Sequence, residues 1–178
     1  MFDMASELQD FGYVALAGVL GALIGFEREL ADKPAGLRTH IFVAAASALF
    51  VILGNGVVDV FDGREAASVI NADPPRIVQA VVIGISFLGA GTIVHRSGTY
   101  VEGLTTAASI FLTAGIGVAV AVDRIWLAVA TSVFAVFMLI AVGWIEQRFI
   151  PTSLAGSDSA SSMHDAQMPV AREEKHRA

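Results

Sequence analysis

The stretch FGYVALAGVLGALIGFERELADKPAGLRTHI, residues 11–41, decides which solvent this chain folds in. Residues 11–26 carry no charge and run straight into Glu27-Arg28-Glu29, and after a polar connection an apolar run resumes at Ile41. Uncharged runs then recur at 41–58, 77–94, 103–122 and 125–145. Each is close to the roughly 20 residues with which an α-helix crosses a hydrocarbon core of about 30 Å, and a soluble protein rarely has even one. Composition agrees, with 55% hydrophobic and 16% charged residues, where a soluble domain carries about 25% charged. The expected fold class is all-α: a polytopic membrane helix bundle with five transmembrane helices.

The first run is short enough to compare with a secretory leader, but no Lys or Arg precedes Arg28, so the basic segment of a leader is missing and the run is read as a retained helix. Orientation follows from basic residues, which accumulate in cytoplasmic loops. Five crossings place Arg28, Lys33, Arg38, Arg96, Arg148, Arg172, Lys175 and Arg177 on one side and Arg64, Arg76 and Arg124 on the other. The amino terminus is therefore expected outside and the carboxyl terminus in the cytoplasm. A formal net charge of −6 argues against nucleic acid as a partner, and the absence of Cys excludes thiolate chemistry and Cys-based metal sites.

Residues 1–10 read as a short N-terminal segment, 11–150 as the transmembrane domain, and 151–178, rich in Ser, Ala and Asp, as a disordered cytoplasmic tail. The outer loop 54–76 has room for a short surface helix over 64–70, and Asp73 is placed to cap the third helix ahead of Pro74-Pro75. Residues 96–102 form a short inner loop containing Gly98, and Asp123-Arg124 a tight outer turn.

On a helical wheel Gly18, Ala22 and Gly25 share one side of the first helix, with Gly21 beside them and Leu16, Leu20 and Leu23 opposite. Small residues mark where membrane helices approach closely, so the glycine side is the expected protein-packed face. Glu29 falls on that side and is expected to point into the bundle; Glu27 falls on the leucine side and is expected to snorkel to the lipid interface, with Arg28 between them. In the third helix Ala80, Gly84 and Gly91 share one side and Gln79, Ser86 and Ala90 another, which suits a central helix packed on two neighbours, and the nearness of Gly84, Gly89 and Gly91 makes a kink or unwound segment a further expectation. In the fourth, Glu102, Thr106, Ser109, Thr113 and Gly117 make a polar stripe on one face. Its hydroxyls can bond back to carbonyls one turn earlier, or can line a path for a hydrated cation or a proton.

Three stretches carry a resemblance: GALIGFERELADKPAGLRTHIFVAAASALF (21–50), DPPRIVQAVVIGISFLGAGTIV (73–94) and VEGLTTAASIFLTAGIGVAVAV (101–122). In order and spacing, over most of 11–145, they resemble the MgtC/SapB family of bacterial inner-membrane proteins. Ser86 stands where many members have glycine. The resemblance implies a multi-pass protein of the bacterial inner membrane linked to magnesium limitation and, in some bacteria, to virulence and survival inside host cells. Longer members carry an ACT-like domain after the last helix, and this chain resembles the short form without one. Carried over by motif, the implied functional residues are Glu27, Arg28, Glu29, Arg38, Thr39, Asp73, Arg76, Glu102, Thr105 and Thr106, to which the stripe adds Ser109 and Thr113. The resemblance implies another membrane protein as partner, such as ATP synthase or a P-type magnesium pump, while the apolar runs point to the lipid bilayer and the small-residue faces suit a second copy in a homodimer.

Two functions stay open at this point. One is regulation of a partner membrane protein through helix contacts in magnesium homeostasis. The alternative is a transporter or channel for Mg²⁺ or another cation, with Asp73 and Glu102 as the oxygen ligands at its two ends. No cofactor is expected, and Mg²⁺ enters only as a ligand or substrate. An enzyme is not expected: Gly89-Ala90-Gly91 sits inside an apolar run rather than after a strand, and no nucleophile has a nearby base. His40 and His95 read as interfacial residues.

Overall fold

The computed structural model describes residues 3–62, 74–95 and 101–149. The chain divides into two units, Met1–Ile140 and Ala141–Ala178; the packing described below belongs to the first, and within the second only the last turns of a helix are described. The helices are α1 (Met4–Leu30), α2 (Leu37–Asp62), α3 (Pro74–Thr92), α4 (Leu104–Ala121) and α5 (Ile125–Phe149). All five are long and apolar enough to cross a membrane. Helix is the form such runs must take, because in hydrocarbon each backbone N–H and C=O has to find its partner within the segment.

Two connections differ from the sequence reading. α2 does not end at Gly54 but continues to Asp62, because the glycine makes a contact: a Cβ at Gly54 would lie 2.5 Å from the Ile77 side chain of α3. The expected surface helix over 64–70 and the capping residue Asp73 lie outside the described residues, as do Arg96, Gly98 and the tail 151–178. Between α3 and α4 two short antiparallel strands, β1 (Val94–His95) and β2 (Val101–Glu102), replace part of the expected loop, with Val94 opposite Glu102. They prolong the contact of two antiparallel helices beyond the helix ends. Gly103 then turns the chain into α4 with φ of 92°, and a Cβ there would run into the Thr92 carbonyl oxygen. The Asp123-Arg124 turn is as expected, with Asp123 left-handed at φ 59° and Arg124 N–H donating to the Ala119 carbonyl at 2.8 Å.

α2 and α4 form the middle of the bundle: α4 is in contact with α1, α2 and α3, and α2 packs on α1, α3 and α4. α3 does meet two neighbours, α2 and α4, but its fully buried positions fall on one stripe. Val81 and Gly89 are covered on it, and Gly89 packs on Ala107. Ala80, Gly84 and Gly91 are exposed, and a Cβ at Gly84 or Gly91 would meet nothing among the described residues. α3 is also unbroken: Ser86 Oγ donates to the Val82 carbonyl and Thr92 Oγ1 to the Gly89 carbonyl, each at 2.7 Å, alongside a continuous helix. The expected unwinding is absent, and the backbone groups of α3 pair within the segment as hydrocarbon requires.

The core joins Ala17, Leu20 and Ile24 of α1, Ala44 and Ala48 of α2, Ile116 and Val120 of α4, and Ala128 and Ala135 of α5. Leu20 is therefore buried, although it lies away from the glycines on the wheel, because α4 covers a second side of α1. Large apolar side chains remain outside, among them Trp126 at 88% exposed and Phe87 at 84%. On a soluble monomer so much exposed apolar surface would drive aggregation; in a bilayer it faces lipid.

Candidate functional site

The charges that follow the first apolar run meet one another and the start of α2. α1 and α2 approach so closely that glycine is required between them. A Cβ at Gly21 would lie 2.5 Å from the His40 carbonyl oxygen, and one at Gly25 2.8 Å from Leu37 Cα and 2.9 Å from His40 Cβ. Gly18 is also buried on this face, in ordinary contact with Ile41. The expected glycine face of α1 is thus the face that packs on α2.

Past Gly25, α1 carries Arg28 into the interior, where it is 4% exposed. Its Nε donates to Glu27 Oε2 at 2.6 Å and Nη2 to Glu27 Oε1 at 2.9 Å, a two-bonded fork between consecutive residues. Adjacent positions on a helix do not face each other, so the guanidinium has to fold back to reach this carboxylate. The reason is burial: a charge removed from water requires a counter-charge and hydrogen bonds. Glu27 accordingly is half-buried with Arg28 rather than extended to the lipid interface.

Glu29, expected inside the bundle, is exposed and caps α2, with Oε2 accepting the Leu37 N–H at 2.9 Å. The first amides of a helix lack intrahelical acceptors, and a carboxylate there also meets the positive end of the helix dipole. Gly36 makes room for it, since a Cβ at that position would run into the Glu29 carboxylate. Glu29→Ala is expected to lower stability by about 1 kcal/mol, with Glu29→Gln intermediate. Thermal unfolding in lipid nanodiscs checks this, and equal stability of all three proteins would dismiss the cap.

Across α2, the stripe of α4 is closed. Thr106, Ser109 and Thr113 are buried. Ser109 Oγ donates to the Thr106 carbonyl at 2.9 Å and Thr113 Oγ1 to the Ser109 carbonyl at 2.8 Å. His40 completes the network: it is fully buried, with Nδ1 2.9 Å from the Gly36 carbonyl oxygen and Nε2 3.2 Å from Ser109 Oγ. No buried side-chain polar atom among the described residues lacks a hydrogen bond. Below this level Gly117 meets α2, where a Cβ would run into the Ala44 carbonyl oxygen.

The structure therefore gathers Glu27, Arg28, Glu29, Thr106, Ser109 and Thr113 around the α1–α2–α4 junction. Thr39 is half-buried nearby in sequence, while Arg38, Arg76, Glu102 and Thr105 are exposed. Glu102 lies on β2 and Asp73 outside the described residues, and among the described residues no three His, Asp or Glu side chains converge on a point where a metal ion could sit. His40 is the residue that the sequence reading missed. Its signal was the spacing His40, Val43, Ala44, Ser47, Ala48 and Val51, one stripe of a helix face, and all six are buried.

The chain resembles known proteins over most of its length. The model of the MgtC family matches residues 14–148. The chain is 40% identical over 125 residues to a putative magnesium transporter, YhiD, of Escherichia coli K12, covering 70% of this chain and 56% of that protein. It is 32% identical over 145 residues to the protein SapB of Bacillus subtilis, covering 82% and 61%, and 38% identical over 123 residues to the protein MgtC of Brucella abortus, covering 69% and 47%. The chain thus spans about half the length of the curated relatives it matches. No solved structure shows a significant match.

Proposed function

Because this chain belongs to the MgtC family, we propose that it acts in magnesium homeostasis as a multi-pass protein of the bacterial inner membrane, regulating a partner membrane protein through its helix faces. The observation that carries the regulatory reading is the closed stripe of α4. Thr106, Ser109 and Thr113 are buried, and the Ser109 and Thr113 hydroxyls are committed to acceptors inside the protein. A path for Mg²⁺, which gives up its water reluctantly, needs a wide polar lining. Among the described residues, two surface grooves, one lined by Arg76, Gln79, Ala80 and Ile83 and the other by apolar residues of α3 and α4, include none of the stripe hydroxyls. Meanwhile α3 and α5 leave long faces free for helix contact.

The second reading, a magnesium transporter, is favoured by the name of the Escherichia coli relative. The two separate in one experiment with two arms. Cells lacking the protein are expected to grow poorly at low Mg²⁺ and to recover with the wild-type chain. The purified protein, folded and oriented in proteoliposomes, is expected to pass no more Mg²⁺ than empty vesicles. Flux above that background which falls in Ser109→Ala or Glu102→Gln would establish transport instead.

A further inference from the structure

His40 is a fully buried titratable side chain that the proposed function does not use. Three helices close around it: α1 through Gly21 and Gly25, α2 itself, and α4 through Ser109. The charged groups that act on the ring are Glu27 and Arg28 of α1, already joined to each other. From α4 it meets a hydroxyl, and on its own helix the neighbouring Arg38 is exposed.

The hydrogen bonds here can be counted. The Gly36 carbonyl accepts only, so Nδ1 carries a proton in either charge state of the ring. The Ser109 hydroxyl has one proton and two acceptors in reach, the Thr106 carbonyl at 2.9 Å and His40 Nε2 at 3.2 Å. With neutral imidazole, the hydroxyl donates to Nε2, and the Thr106 carbonyl keeps its own helical bond. With a proton added to the Nε2 lone pair, Nε2–H donates to Ser109 Oγ and the hydroxyl turns to the Thr106 carbonyl. Neither arrangement strands a polar group, and no backbone atom has to move.

We propose that His40 is a proton-binding site, and that proton uptake at Nε2 reverses the hydrogen bond between His40 and Ser109, giving the α2–α4 contact two fully bonded states. The ligand is the proton, drawn from the aqueous phase at the exposed α1–α2 connection, and no covalent bond is broken. The inference holds whether the chain regulates a partner or moves an ion.

The test is nitrogen NMR of the full chain in nanodiscs with labelled His, the His40 signals being assigned through the backbone. At the alkaline end Nδ1 is expected protonated and Nε2 bare. Across the pH range over which the helical spectrum is retained, both nitrogens are expected to reach imidazolium values at the acid end, and the Ser109 side-chain signals to move with the same midpoint. Ser109→Ala is expected to change the proton affinity roughly fivefold, because a hydrogen bond to a charged ring is stronger than one to a neutral ring. Thr113→Val, which does not touch the ring, is expected to leave it unchanged. Ring nitrogens constant across that range, a proton on Nε2 at the alkaline end, or an unaltered titration in Ser109→Ala would each overturn the proposal.

Discussion

Gly117→Ala is expected to destabilise the protein by about 1–3 kcal/mol, the usual cost of overpacking a tight interior, although alanine is the better helix former. The added methyl would run into the Ala44 carbonyl oxygen and lie 3.0 Å from Ser47 Cβ. Backbone cannot swing aside as the end of a side chain can. Gly21 presses on the same residue from the other side, where its Cβ would stand 2.9 Å from Ala44 Cβ. Ala44 is thus clamped between α1 and α4. Gly21→Ala is expected to cost as much, and the double variant to depart from additivity, since both methyls displace one residue. Gly115→Ala and Gly84→Ala supply the contrast, because nothing lies within 4 Å of either added methyl; they are expected to be neutral or to gain a few tenths of a kcal/mol. Unfolding midpoints of the five variants in one detergent decide the matter. Equal losses at Gly115 and Gly117 would mean that the three-helix contact does not set the cost.

Arg28→Met is expected to cost about 3 kcal/mol, the lower end of what is lost when one member of a buried ion pair is removed, because Glu27 keeps 15% of its side-chain surface exposed. Most of that loss comes from the carboxylate left behind, so Glu27→Gln combined with Arg28→Met is expected to recover the larger part. Arg28→Lys is expected to rescue poorly, since a single ammonium cannot reproduce the two parallel bonds of the guanidinium fork. A double-mutant cycle on unfolding free energy reads this directly. If the double variant is no more stable than Arg28→Met alone, the pair is not what holds Arg28 in place.

Taken together, the two predictions put the weight of the fold on one junction. Gly21, Gly25 and Gly117 let three helices meet backbone to side chain, and Arg28 and His40 fill what remains with groups bonded inside the protein. The stripe on α4 illustrates how spacing alone can mislead. Thr106, Ser109 and Thr113 do share a face, as their intervals require, but a shared face can line an opening or seal a contact. The outcome depends on what stands opposite, and here it is the His40 and Ser47 side of α2.

By itself the sequence determined the number of helices, their class and the packed face of α1, because crossing a bilayer imposes length and apolarity on each segment independently of the others. The glycines at 18, 21 and 25 also spoke locally, since close approach has a direct requirement for a missing side chain. Only the tertiary structure decided that α2 and α4, rather than α3, hold the middle of the bundle, that Glu29 caps α2 while Arg28 turns inward with Glu27, and that His40 is buried against Ser109. Each of these depends on a partner more than one element away or on the competition of neighbouring charges for one counter-charge. A helical wheel places a residue on a face, but it says nothing of which neighbour will cover that face.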